Sequence, residues 1–155
     1  MRGVVLALSV FAFAAAACGQ AGAPSGSTEA SAQTVAADPT AFDEQITAWA
    51  RARHGANLFE PVNTFYGDFN GDGAEDGLAF AYFALGGSSA GLNVALFRNE
   101  GGHMVHHRDI EDVFGMEPRD AVFSEGSVQV TTLTLGPNDP RCCPTQPREW
   151  TISTD

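Results

Sequence analysis

The chain has 155 residues, 8 of them basic and 19 acidic, giving a formal net charge of −11, and 44% of its residues are hydrophobic. Every basic residue is an arginine, which excludes chemistry that needs a lysine amine, such as Schiff-base formation or a phosphate-binding P-loop. An acidic surface repels phosphate backbones and anionic headgroups, so no nucleic-acid partner is expected, and divalent cations or basic proteins suit it better.

The first element is "MRGVVLALSVFAFAAAAC": Arg2, an apolar run from Val4 to Phe13, then small residues before Cys18. That is the layout of a secretory signal peptide over residues 1–17. The cysteine directly after "AAA" resembles the lipobox of bacterial lipoproteins, although Ala15 stands where that family usually has Leu. The resemblance implies cleavage before Cys18 and lipidation of Cys18, hence a membrane partner through an N-terminal anchor. With Gly19 rather than Asp next, it implies the outer membrane facing the periplasm rather than the inner one. An ordinary signal cut near Ala17, which would leave the protein secreted, and a short signal-anchor are the alternatives. Cleavage removes Arg2 alone among the charged residues, leaving 7 basic against 19 acidic and a net charge of −12.

Residues 18–38, the lipidated cysteine and "GQAGAPSGSTEASAQTVAAD", are small and polar without apolar periodicity, which reads as a flexible linker. Residues 39–155 have the length of one domain. It opens with "DPTAFDEQITAWARARHG", where Asp38 or Thr40 caps a helix, Pro39 suits its first turn, and Asp43 and Glu44 favour its positive start. Arg51, Arg53 and His54 lie near its negative end, and Phe42, Ile46 and Trp49 form an apolar stripe.

After Gly55 the signals turn to β. "VNTFY", "LAFAYFAL", "LNVALFR", "HMVHHRDI", "DAVFSE", "SVQVTTLTL" and "REWTIST" are short runs rich in β-forming residues, with hairpin turns at "RNEGGH" and "SEGS". A helix followed by strands without intervening helices predicts an α+β fold. The expected form is an N-terminal amphipathic helix packed on an antiparallel sheet of about five to seven strands.

The stretch "YGDFNGDGAEDGL", Tyr66 to Leu78, carries the strongest chemical signal. Counted from Asp68, Asp68, Asn70 and Asp72 stand at positions one, three and five, Gly73 at six, Ala74 at seven and Asp76 at nine. Calcium takes six to eight oxygens, and alternate residues of a tight loop turn their oxygens inward. The string is similar to the calcium loops of FG-GAP/VCBS repeats and of dockerin and EF-hand modules. That resemblance implies Ca2+ held by Asp68, Asn70, Asp72, Asp76 and the Ala74 carbonyl. The loop departs from the EF-hand at position twelve, where Ala79 replaces a bidentate glutamate. An Asx-rich turn without metal is the alternative.

Three weaker constellations follow. "GGSSAG" places Ser89 in a G-x-S-x-G pattern, which is a nucleophile only at a strand-to-helix turn with an acid and a histidine to follow. His103, His106 and His107 do follow it, but strand alternation puts His106 opposite the other two. Cys142 and Cys143 are neighbours and form a possible disulfide with each other, in a Pro-rich turn or as a redox switch. The string "DPRCCPT" resembles the tail of uncharacterised secreted bacterial proteins, which bears on compartment alone. The expected function is an envelope-anchored, calcium-stabilised, non-catalytic binding lipoprotein. The alternative is a small periplasmic enzyme using Ser89 with a histidine, or Cys142 and Cys143.

Overall fold

Seven strands and one helix are described in the computed structural model, which covers residues 39–155 apart from Ser88. The signal segment, Cys18 and the linker to residue 38 lie outside the described residues. Helix α1 spans Pro39–His54 and runs into a short 3-10 turn, Gly55–Asn57. Strands β1 (Asn63–Gly67), β2 (Asp76–Gly86), β3 (Ser89–Asn99) and β4 (Met104–Ile110) form one antiparallel sheet in that order. Strands β5 (Met116–Ser124), β6 (Ser127–Thr134) and β7 (Gln146–Ser153) form a second. The fold is therefore α+β and mostly β, and the single sheet expected from sequence is corrected to two.

The reason lies in β2 and β3. Along β2, Leu78 and Phe80 are buried in a cluster with Val94 and Leu96 of β3 and with Val128, Val130 and Ile152 of the second sheet. The alternate residues Ala79, Ala81, Ala95 and Phe97 are buried on the other face, against Ile46 and Ala50 of α1. A sheet covered on both faces reads as a continuous apolar run rather than an alternation, which is what "LAFAYFAL" is. Each fully buried Leu, Val or Phe contributes about 1.5–3 kcal/mol. The inter-sheet layer holds most of them, while alanines let the helix approach the opposite face closely.

On α1, Phe42, Ile46 and Ala50 are buried at i, i+4 and i+8, one face of the helix. Trp49, expected in that stripe, sits half-buried at its margin, edge-on to Phe97 with centroids 4.9 Å apart. The expected acidic start is also corrected. No residue of the first turn is acidic, because the helix begins at Pro39 and Asp43 falls in its second turn. There Asp43 accepts hydrogen bonds from the hydroxyls of Thr64 and Tyr66, the latter at 2.6 Å. Burial, then the Asp43 bond, pushes the Tyr66 hydroxyl well above its usual pKa. Gln45 clamps the β3–β4 turn, accepting from the Met104 N–H at 2.8 Å and donating to the Gly102 carbonyl. Gly101 and Gly102 have φ of 64° and 91°, the two left-handed positions of a tight hairpin.

The two sheets meet closely where β1 touches β5. A Cβ at Gly67 would lie 2.5 Å from Cγ and 2.7 Å from Cβ of Phe123. Gly67→Ala is therefore expected to destabilise the protein by about 1–3 kcal/mol, roughly 5–15 °C in melting temperature. Thermal melts followed by circular dichroism check this, and an unchanged melting temperature would show that the sheets separate freely there.

Candidate functional site

The acidic loop joins β1 to β2 at one end of the sandwich. Asp68 is its organiser: Oδ1 accepts from the N–H of Gly71 at 2.6 Å and of Asn70 at 3.2 Å, and Oδ2 from the N–H of Gly73 at 2.8 Å. Asn70 and Asp72 are bound reciprocally, Asn70 Oδ1 accepting from the Asp72 N–H and Asn70 Nδ2 donating to Asp72 Oδ2, both at 2.9 Å. Ala74 donates its backbone N–H to Asp72 Oδ1 at 2.8 Å. Gly71 and Gly73, with φ of 77° and 84°, give the left-handed steps that such a sequence of Asx turns requires. The Gly73 N–H, ahead of the opposing effect of burial, holds the Asp68 carboxyl below its usual range.

Asp76 differs from the others. It is fully buried, with Oδ2 accepting from the Phe69 N–H at 3.3 Å and Oδ1 from the Asn99 N–H at 3.0 Å. It thus ties the start of the loop to the end of β3. Burial pushes its pKa up against those two bonds, and the charges of Asp72 and Asp68 add to the rise. Among the described residues no arginine or histidine is paired with it. Asp68 Oδ1 already accepts two N–H groups, while Asp68 Oδ2 and the carboxylate oxygens of Asp72 and Asp76 accept one bond each and retain a further lone pair. Among the described residues no three His, Cys, Asp or Glu side chains converge as a metal-binding group, because these carboxylates are turned onto backbone donors.

Sequence reasoning missed the acid that comes nearest the loop. Glu125, at the β5–β6 turn, lies with its carboxylate carbon 3.3 Å from where a Cβ on Gly71 would stand. Gly126 next to it donates its N–H to the Phe69 carbonyl at 2.9 Å. Only the packing of the second sheet brings Glu125 there, and no local pattern signals it.

The histidines separate as alternation implies, helped by a bulge. Phe97 pairs with His106 and Leu96 with Arg108, so His107 is the extra residue. His106 stacks on Trp49 at 5.1 Å and meets Asp109 Oδ1 at 3.0 Å. His107 lies on the opposite face against Phe69 and contacts the Thr154 carbonyl. His103 is exposed at the hairpin turn. Ser89 opens strand β3, not a helix, and Phe97, which pairs with His106, lies eight residues further along it, about 26 Å. The structure does not bring Ser89 to the histidines.

Cys142 and Cys143 are joined as a vicinal disulfide. Asp139 holds their loop, accepting from the N–H of Gly136 at 2.8 Å and of Thr145 at 2.7 Å, and from the Thr145 hydroxyl. The loop forms one wall of a cleft of about 1130 Å³ at the end of the sandwich away from the acidic loop. No protein-family model, curated protein or solved structure matches the chain.

Asp109 is a second polar centre that the sequence reading passed over. Its carboxylate receives Arg53 at 2.8 Å, His106 at 3.0 Å and Asn93 at 3.3 Å, joining α1, β3 and β4. Burial acts to raise its pKa, but His106, Asn93 and the Arg53 charge together bring it below the usual range. A depressed carboxylate stabilises the fold fully above its unfolded value of about 3.9, and that stabilisation is lost as the pH falls through the lower folded value. Asp109→Asn is expected to cost about 1 kcal/mol at pH 7 after solvent screening, roughly 5 °C. Melts of both proteins from pH 7 to pH 2 should show this gap closing only below the ordinary carboxylate range; a gap constant with pH would refute the linkage.

Proposed function

We propose that the chain is an envelope-anchored, non-catalytic binding lipoprotein, held by lipid on Cys18, whose Asp68 to Asp76 loop takes calcium to stiffen one end of its sheets. The observation that carries this reading is Asp76, a fully buried carboxylate with two aspartate neighbours and no cationic partner among the described residues. A buried charge is costly unless it is paired. A hard cation with oxygen ligands answers that cost, with the loop's carboxylates turning from their N–H donors onto it. By the resemblance to calcium loops, Asp68, Asn70, Asp72, Asp76 and the Ala74 carbonyl would hold it. Calcium would supply charge neutralisation there, while Asp76 ties the β1–β2 loop to β3 through its bond from the Asn99 N–H. The non-catalytic reading is supported by the distance between Ser89 and the histidines. No helix among the described residues is long and apolar enough to cross a membrane.

The test is calorimetric titration of calcium into the full chain in detergent micelles, with Asp72→Ala beside it. Binding is expected at about 10⁻⁴ to 10⁻³ M, the range of extracellular modules. At ten times that dissociation constant the protein should gain about 1.4 kcal/mol, roughly 5–7 °C in melting temperature, and Asp72→Ala should lose both effects. Absence of heat and of any melting shift in the wild type would sink the calcium reading. For the anchor, Cys18→Ser is expected to move the protein from the membrane to the soluble fraction, with loss of a lipid mass on the N-terminal peptide. An unmodified Cys18 in the wild type would remove the anchor from the proposal.

A further inference from the structure

The cleft at the far end from the acidic loop is built unlike the rest of this acidic molecule. Three of its lining side chains, Phe114, Met116 and Leu135, are large, apolar and about half exposed, at 51%, 47% and 53%. Two arginines, Arg141 and Arg148, also line it, against one carboxylate, Glu111. Elsewhere Arg51, Arg53 and Arg119 are paired with carboxylates, while Arg98 and Arg108 form no ion pair among the described residues. Among the described residues Arg141 and Arg148 have no such partner, in a chain where acids outnumber bases by more than two to one.

The guanidinium of Arg148 lies 4.0 Å from the ring centre of Trp150 and 5.0 Å from that of Phe114. A guanidinium held against aromatic rings by cation–π attraction spends no carboxylate partner on that contact, and its N–H fork suits a planar, bidentate acceptor. The surroundings are already fixed. Trp150 Nε1 donates to Thr132 Oγ1, and that hydroxyl donates to the Phe114 carbonyl, both at 2.8 Å. Tyr82 donates to the Gly115 carbonyl at 3.0 Å, and Asp139 braces the disulfide loop on the other wall. A site prebuilt in this way avoids the ordering cost that weakens most binding. Its volume of about 1130 Å³ lies just above the roughly 300–1,000 Å³ of small-molecule sites.

We propose that this cleft binds a small aromatic monocarboxylate, with its ring against Phe114, Met116, Leu135 and the Cys142–Cys143 disulfide, and its carboxylate on Arg148 and Arg141. The inference rests on reading the chain as a binding module and not on the calcium loop. The two titrations therefore fail independently.

The probe is 2-naphthoate, titrated calorimetrically into the full chain in micelles without calcium, beside its neutral isostere 2-naphthamide. Naphthoate is expected to bind at least about tenfold more tightly than the amide, the margin of a charge-assisted bidentate contact. Arg148→Met should abolish that margin while leaving amide binding unchanged, which also reports that the cleft is intact. Where Arg148→Met disturbs the aromatic stack and amide binding falls too, Arg141→Met supplies the same comparison from outside the stack. Equal binding of acid and amide by the wild type, or no binding of naphthoate, would overturn the proposal.

Discussion

Strands β2 and β3 are apolar on both faces, and such a sheet needs a cover on each side before it gains anything from its side chains. Helix α1 supplies one cover and the β5–β7 sheet the other. The division of side-chain size follows from that requirement. Alanines at 79, 81 and 95, with Phe97 the one large side chain of that row, face the helix, while Leu78, Phe80, Val94 and Leu96 face the second sheet, where a thicker layer of side chains fills the gap. Gly67 fits the same scheme at the margin, where Phe123 of the second sheet occupies the space a side chain would need.

The layered arrangement places the polar chemistry at the ends and margins. At one end, Asp76 begins β2 in a fully buried position and binds the Phe69 and Asn99 N–H groups, so the loop hangs from the sheet core. At the other, Tyr82 and Leu92 of the first sheet face Leu133 and Arg148 of the second across the cleft. Asp76 and Tyr82 are six residues apart on β2, about 20 Å. The acidic loop and the cleft are thus separated by the packed core through which β2 runs.

The elements were largely legible, because strand runs bounded by Gly, Asn and Asp carry their own local signals, and each of the seven runs lies on a strand. Layering was not. A run such as "LAFAYFAL" is compatible with one covered face or two, and only the position of β5–β7 decides between them. The acidic loop was visible as a spacing, and its hydrogen-bond pattern follows the same alternate residues. Glu125, Asp109 and the Arg148 stack were not visible, since each depends on contacts between residues far apart in the chain. Asp43 was misassigned for a related reason: helix propensity puts an acid near the start, but two hydroxyls on β1 compete for it one turn later.

The margins of the two sheets carry one further consequence. Strand β5 is a free edge, yet its pairing with β6 slips twice, between Met116 and Arg119 and between Arg119 and Val122. Each slip holds one left-handed residue, Glu117 at φ 51° and Asp120 at φ 54°, and Pro118 lies between them. Bulges, charges and proline on an edge deny a neighbouring chain a straight row of donors and acceptors. The β7 edge carries Pro147, Arg148 and Glu149, β4 bulges at His107, and β1 is only five residues long. The margins of both sheets are therefore guarded against fibril-like stacking with another copy of the chain.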